Sequence, residues 1–202
     1  MDMGELPEGM DMPESNITTP HPSASVILSR ERAGGHEILL GHRVSELPAF
    51  PDVWSFPGGG ISRTDRAAAE SHPEWLSERG GNRVSAFALL REMVEELGVA
   101  PDGDGGFCEV SAGVRELVCG GKSGWLESME SGELTADGFH CEMITERITP
   151  PQAPARFHNL FFHVPTGDPG VTPSFPPGRS EFDEFRWWRP SDLIASWEGK
   201  EL

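Results

Sequence analysis

The sequence predicts one α/β domain in which a mixed β-sheet packs against a strong helix. Short β-prone segments occur both before and after that helix, an order typical of a sandwich of sheet and helices rather than of a helical bundle. The chain has 202 residues, of which 37% are hydrophobic, enough to bury one core of ordinary size. No internal repeat is visible, so we expect a single domain.

The N-terminal part of the chain predicts a tail followed by a pair of strands. Residues 1–20 are rich in Met, Pro and acidic residues and show no hydrophobic periodicity, so we expect a flexible acidic tail ahead of a domain over 21–202. Two short β-prone runs, 25–29 and 37–43, flank a Gly-Gly pair. This pattern predicts antiparallel strands joined by a turn.

A third short strand, 53–56, ends at Pro57 and the three glycines after it. The polar segment 66–83 contains Pro and Gly and predicts an excursion before the next element. That next element, 85–97, is the clearest helix in the chain, with Ser85 or Asn82 as its cap and a left-handed stop at Gly98. Its apolar face comprises Ala86, Leu90, Met93 and Leu97.

Beyond the helix the pattern predicts a loop at 101–106 and then shorter elements. The predicted strands are 110–118, 144–149, 157–164 and 185–188. The predicted helices are 125–129 and 191–197, the second capped by Ser191 or Asp192.

The charge balance restricts the classes of partner. Asp and Glu number 33 against 16 Lys and Arg, a formal net charge of -17, which repels nucleic acid and anionic lipid. We therefore expect no nucleic acid or membrane partner, and an anionic substrate would need a metal ion. The first fifteen residues lack the pattern of a secretory signal and no apolar run is long enough to cross a bilayer. These features favour a cytoplasmic protein.

Three acidic residues of the predicted helix point to a divalent cation. Glu92, Glu95 and Glu96 stand at i, i+3 and i+4 and share one face, where like charges destabilise an isolated helix by a few tenths of a kcal/mol. Carboxylate, carbonyl and water oxygens suit Mg²⁺ or Mn²⁺. Arg91 can pair with Glu95 one turn on and leave the other two acids to face the ion. The simpler interpretation is a solvated acidic face.

The glycine turn favours the metal interpretation. Residues 54–60 form a strand end that continues into Gly58, Gly59 and Gly60. Without Cβ atoms, their carbonyls and amides can approach an ion or a phosphate closely.

These two segments resemble the Nudix box. Residues 91–99 match its REUxEExGU half, in which U is aliphatic, and residues 56–59 match its FPGG opening. Asp65 stands where the family has Glu, and the usual seven residues before the Arg-Glu pair become twenty-five, 66–90. This insertion, with the segments 148–162 and 184–190, resembles the Nudix subgroup of coenzyme A diphosphatases.

The resemblance implies a Nudix-type α/β/α sandwich with a mixed β-sheet and a metal-dependent hydrolase. It implies that Glu95 and Glu96 ligate Mg²⁺ or Mn²⁺, that the Gly58 carbonyl completes the site, and that Glu92 is a further ligand or the general base. The substrate would be a small nucleoside diphosphate derivative, such as coenzyme A or its esters, whose diphosphate linkage is hydrolysed by water. The candidate catalytic residues are Arg91, Glu92, Glu95 and Glu96, and the candidate substrate-binding residues are Arg43, Gly59 and Gly60.

Two further points stay open. One acid outside the motif can add to the metal site, and the candidates are Glu142, Glu146, Glu181 and Glu184. The alternative function is a Nudix-fold module that binds or senses a nucleotide without hydrolysing it, although all three glutamates of the helix favour an enzyme. A phosphate-loop NTPase is excluded because no GxxxxGK[ST] motif is present.

Overall fold

The computed structural model describes residues 18–74, 82–151, 153 and 155–199. Most of the predicted N-terminal tail and residues 75–81 of the predicted excursion lie outside these ranges. The described elements confirm the predicted α/β class with a mixed sheet. In chain order they are β1 (His21–Arg32), β2 (Gly35–Arg43), β3 (Trp54–Ser55), β4 (Gly58–Gly60), α1 (Arg63–Ser71), α2 (Arg83–Glu92) with a π-helical turn (Met93–Leu97), β5 (Val99–Pro101), β6 (Phe107–Glu109), α3 (Ala112–Gly120), α4 (Lys122–Glu130), β7 (Glu142–Ile148), β8 (Phe157–Pro165), β9 (Phe182–Trp188) and α5 (Pro190–Glu198).

Strand β1 is the centre of the main sheet. The strand order is β3-β2-β1-β8-β7, with β4 also on β1 and β9 also on β2. β1 is antiparallel to β2 and β4 and parallel to β8, so the sheet is mixed. Arg32 pairs with Gly35 at the end of the first hairpin, which confirms the predicted turn.

The core lies between this sheet and α2. Successive side chains of a strand point to opposite faces, and Ala24, Val26 and Leu28 of β1 are completely buried on the face that packs against α2. All four residues of the predicted apolar face of the helix are buried. The helix ends as predicted, at Gly98 with φ +70°. At its start, Asn82 occupies the capping position but its side chain makes no capping hydrogen bond, and Ser85 lies inside the helix.

The predicted strand 110–118 is wrong, because most of this segment forms helix α3. Ser111 begins the helix and its hydroxyl accepts a hydrogen bond from the Val114 N–H. Val114 and Val118, four positions apart, are both buried, and this spacing puts them on one helical face. The β-branched valines led to the strand prediction. The buried residues, however, recur every four positions, which is the spacing of a helix.

The predicted excursion 66–83 also needs correction, because its first part belongs to helix α1. Ser62 and Asp65 form a reciprocal capping box at the start of that helix. Ala68 and Ala69 are buried in the core, where α1 packs against α2. The inserted segment therefore contributes to the core before the chain leaves the described range.

The C-terminal elements agree with the prediction except in one cap. β7, β8 and β9 cover most of the predicted strands, but Arg189 occupies the capping position of α5 and Pro190 is its first helical residue. Ser191 and Asp192 therefore lie inside the helix, since proline is favoured at the first helical position. None of the described helices has the length and apolar character required to cross a membrane.

We expect Leu28→Ala to lower the free energy of unfolding by about 2–5 kcal/mol, because it leaves a cavity under the central strand. Leu28 is 0% exposed. The matched control is Leu117→Ala on α3, where the side chain is 40% exposed and the expected change is about 0.5 kcal/mol or less. Urea unfolding followed by circular dichroism measures both. Equal losses in the two variants would contradict the central role of β1.

Candidate active site

The three glutamates occupy the last turns of a helix that widens at its end. Glu92 closes α2, and Glu95 and Glu96 lie in the π-helical turn Met93–Leu97. In this turn the Gly98 N–H donates to the carbonyls of both Met93 and Val94, and such widened turns are frequent at functional sites. Glu92 and Glu96 are buried, whereas the Glu95 side chain is 28% exposed.

The glycine turn receives the two buried carboxylates. The Gly58 N–H donates to Oε2 of Glu96 at 2.8 Å. A Cβ at position 59 would collide with Oε1 of Glu92, so any larger residue there would displace this carboxylate. Gly58 itself has φ +146°, and a Cβ on it would collide with the Ala24 carbonyl. The structure therefore brings Glu92 and Glu96 to the glycine turn, as the sequence predicted.

The register of β4 explains which backbone groups of the turn face the helix. The Val26 N–H donates to the Pro57 carbonyl, and the Ile61 N–H donates to the Pro22 carbonyl. Because such bonds alternate along an antiparallel pair, the polar groups of Gly58 and Gly60 point away from β1. The Gly60 carbonyl accepts from Nη2 of Arg91 at 3.0 Å. The Gly58 carbonyl lies on the same edge, so its predicted role as a metal ligand is compatible with the geometry.

Arg91 joins the acids of the site into one network. Its Nε and Nη2 donate to the two carboxylate oxygens of Asp65 at 2.9 and 3.1 Å. Its Nη1 donates to Oε1 of Glu92 at 2.8 Å and to Oε2 of Glu95 at 2.9 Å. The pairing with Glu95 was predicted, whereas those with Asp65 and Glu92 were not. Burial alone would lower the pKa of Arg91, but its carboxylate partners outweigh burial and raise it.

The network also shows what Asp65 does. Its side chain is completely buried, and besides Arg91 it accepts hydrogen bonds from the N–H and hydroxyl of Ser62. A fork-to-fork pair of this kind fixes a guanidinium in one orientation. Asp65 therefore orients Arg91, which in turn holds Glu92 and Glu95.

Burial dominates the electrostatics of the three glutamates. It raises the pKa of Glu92 to about 7, although Arg91 opposes the shift. It raises the pKa of Glu96 well above the ordinary value, and the neighbouring charge of Glu92 adds to the effect. The pKa of Glu95 is also raised by burial, against the effect of Arg91. At neutral pH these carboxylates favour either a proton or a cation close by.

The donor set fits a hard divalent cation. Mg²⁺ uses one or two protein carboxylates and completes its shell with water, carbonyl and phosphate oxygens, and here two buried carboxylates contact the glycine turn. In the described ranges no group of three His, Cys, Asp or Glu side chains is gathered as a metal cluster. Glu95, which Arg91 holds, stays a predicted ligand.

Arg43 and Glu181, from other parts of the chain, act electrostatically on the acids of the site. Nη1 of Arg43 lies 3.2 Å from Oε2 of Glu181, and Arg43 also donates to the carbonyls of Ala49 and Phe50. The charge of Glu181 raises the pKa of both Glu95 and Glu96. The predicted contact of Arg43 with substrate phosphate stays a prediction.

Of the four acids left open by the sequence, Glu181 is the one whose charge raises the pKa of Glu95 and Glu96. Glu146 pairs with His158 at 2.8 Å, and Glu184 pairs with Arg186. No sequence signal marks Glu181, because it precedes the last strand and is far along the chain from the acidic helix. Only the pairing of β9 with β2 brings this part of the chain beside Arg43.

Comparison with solved structures agrees with this architecture. The structure superposes on a NUDIX hydrolase from Alicyclobacillus acidocaldarius with a TM-score of 0.75 and 22% identity, covering 92% of this chain and 86% of the other. The fold is that of the Nudix hydrolases. A second match is the NUDIX domain of Shewanella oneidensis NrtR complexed with ADP ribose, with a TM-score of 0.50, 12% identity and coverages of 92% and 82%. No protein-family model matches the sequence, and comparison with curated proteins gives no match.

We expect Gly59→Ala to weaken Mn²⁺ binding by about 10- to 100-fold, because the new methyl group displaces the Glu92 carboxylate. The control is Gly60→Ala, where a Cβ meets no atom within 4 Å and Mn²⁺ affinity should change by less than about two-fold. Titration followed by electron paramagnetic resonance measures both. Equal Mn²⁺ affinity in the two variants would refute the contact between Glu92 and the glycine turn.

The buried glutamates also predict a pH dependence of stability. The folded-state pKa of Glu92, about 7, lies above its ordinary value of 4.5, so its favourable contribution is complete below 4.5 and is lost as the pH rises through 7. In the presence of a chelator, Tm should therefore fall from about pH 5 to about pH 8, and Glu92→Gln should flatten the fall. Thermal melts across this range test the expectation. A Tm profile that Glu92→Gln leaves unchanged would contradict it.

Proposed function

We propose that the protein is a metal-dependent hydrolase of the Nudix superfamily that cleaves a diphosphate linkage in a nucleoside diphosphate derivative. The observation that carries this proposal is the pair of buried carboxylates, Glu92 and Glu96, on a glycine turn where both have raised pKa values. Such a pair is costly in a folded protein unless a cation or a proton neutralises it. The resemblance to the Nudix box supports the same conclusion independently.

In this proposal some residues bind the metal ion and others orient those ligands. Glu92, Glu95 and Glu96 with the Gly58 carbonyl would hold Mg²⁺ or Mn²⁺, and Arg91 would orient the acids. The bound ion supplies neutralisation of the pyrophosphate charge and a lower pKa for attacking water. Where Glu92 acts as the general base instead of a ligand, a carboxyl group with a pKa near 7 suits proton transfer at neutral pH.

Glu181 would add a fourth acid to Glu92, Glu95 and Glu96, close to the bound substrate. It lies in the field of Glu95 and Glu96, and its partner Arg43 is a cation able to contact a phosphate. Arg43 is held by two carbonyls of the loop after β2, so its guanidinium has a defined position. Gly59 and Gly60 would allow a phosphate to approach the backbone. In a chain of net charge -17, substrate binding through a metal ion and few arginines is the consistent solution.

The substrate is proposed at two levels of detail. The coarser level is a nucleoside diphosphate derivative, and the similar NrtR NUDIX domain, complexed with ADP ribose, gives one candidate of this chemistry. The finer level is coenzyme A or its esters, supported by the inserted Nudix box and by the segments 148–162 and 184–190. The two levels differ in what is attached to the diphosphate, so one panel of compounds separates them.

We expect the purified protein with Mg²⁺ or Mn²⁺ to cleave at least one compound of a panel of coenzyme A, its esters, ADP-ribose and dinucleotides. Glu96→Gln should lower kcat by at least about 100-fold, the effect of losing one electrostatic contributor. The control is Glu116→Gln on α3, an exposed glutamate for which we expect unchanged kcat. Mass spectrometry identifies the products and a coupled phosphate assay measures the rate. Near-normal kcat in Glu96→Gln would refute the assignment.

The same panel tests the alternative function. Tight binding of one compound without any product, in either metal, would favour a nucleotide-sensing module over an enzyme. Calorimetric titration of each uncleaved compound measures this binding.

A further inference from the structure

Arg115 is a buried arginine outside the Nudix box that contacts the end of the acidic helix. It belongs to α3 and is 5% exposed. Its Nη2 donates to the Glu95 carbonyl at 3.0 Å. The last carbonyls of a helix have no partner within it, and the chain leaves the helix at Gly98. Arg115 therefore caps the π-helical turn at one of the residues that the proposed mechanism uses.

The same guanidinium holds a second segment of the chain. Nη2 also donates to the Ser174 carbonyl at 2.7 Å, and Nη1 donates to the Ser174 hydroxyl at 2.8 Å and to the Phe175 carbonyl at 3.0 Å. The Ser174 N–H in turn donates to the Leu97 carbonyl at 2.9 Å. Residues 174–175 are thus attached to the helix end by both side-chain and backbone hydrogen bonds.

This attachment matters because the segment leads to Glu181. Ser174 precedes Glu181 by seven positions along the chain, and Glu181 acts electrostatically on Glu95 and Glu96. Phe175, which follows Ser174, stacks on Phe185 of β9 with ring centroids 5.2 Å apart. The segment is therefore anchored at the helix end and again on the strand that follows Glu181.

The space around this contact is closely filled. A Cβ at Gly98 would lie 2.6 Å from Nη1 of Arg115 and 2.7 Å from the Ser174 hydroxyl. Gly98 has φ +70°, so glycine at this position serves both the backbone conformation and the close approach of Arg115.

We infer that Arg115 is a positioning residue of the active site, an inference that rests on the proposed function. It fixes the Glu95 backbone and the segment that leads to Glu181 relative to each other, so two acids from distant parts of the chain keep one geometry. It contacts neither metal nor substrate in this role. Partners that orient ligands in this way typically change metal affinity or activity by about 10- to 100-fold when they are removed.

Arg156 provides a matched control. It is also a buried arginine, 9% exposed, and it also donates to backbone carbonyls, those of Thr149 and Thr18. These partners lie outside the acidic helix and the segment 174–181. Arg156→Met therefore removes two hydrogen bonds of a buried arginine, against four for Arg115→Met, without touching the contacts that carry the inference.

The experiment compares Arg115→Met, Arg115→Lys and Arg156→Met by Tm, Mn²⁺ affinity, kcat and KM. We expect Arg115→Met to weaken Mn²⁺ binding about 10-fold and to lower kcat about 10- to 100-fold, with KM within about two-fold. Arg115→Lys, which keeps the charge, should recover part of kcat. Arg156→Met should also lower Tm, with Mn²⁺ affinity and kcat within about two-fold of wild type.

The outcomes separate this inference from the proposed function. Absence of any cleavage by the wild-type protein contradicts the proposed function, and Mn²⁺ affinity then decides the inference alone. Equal effects of Arg115→Met and Arg156→Met, or a loss of Tm with Mn²⁺ affinity and kcat retained, overturn the positioning role of Arg115. If Arg115→Met does not fold, the same comparison is made with Arg115→Lys, where an unchanged Mn²⁺ affinity and kcat overturn it.

Discussion

The buried guanidinium of Arg91 is the constraint on which the candidate active site depends. A charge buried without partners is strongly unfavourable, and Arg91 is surrounded by the carboxylates of Asp65, Glu92 and Glu95. Its forked contact with Asp65 also joins two helices, since Asp65 lies in the first turn of α1 and Arg91 lies in α2. One ionic network therefore both packs the inserted segment against the core and sets the positions of the acids.

The buried acids of the site carry more negative charge than Arg91 neutralises. Arg91 supplies one positive charge to a group of buried acids, whereas within the described ranges Glu96 accepts a hydrogen bond from the Gly58 N–H and feels the more distant charge of Arg43. Burial of these carboxylates is a cost to the folded protein and raises the pKa of Glu92 and Glu96, and the charges of neighbouring acids add to the effect. Residues that break a local stability rule in this way are typical of functional sites, and in the proposed function a divalent cation would supply the missing positive charge.

The parts of the site outside the motif are held by contacts of the same kind. Arg43 joins the loop after β2 to Glu181, and Arg115 joins the end of the acidic helix to residues 174–175. Both arginines donate to backbone carbonyls as well as to side chains, so each fixes a segment that has no regular structure of its own. Loops on a rigid scaffold commonly carry functional residues, and in this protein arginines set the positions of two such loops.

Local patterns in the sequence determined the α/β class, the first hairpin, the acidic helix with its stop at Gly98, and the association of Glu92 and Glu96 with the glycine turn. These features depend on periodicity and on glycine conformation within short windows, which one sequence displays directly. Only the tertiary structure decided that residues 112–120 are a helix, that Asp65 orients Arg91, and that Glu181 pairs with Arg43. The reason is physical: each of these outcomes depends on burial against, or contact with, residues distant in the chain, and those contacts override local preference.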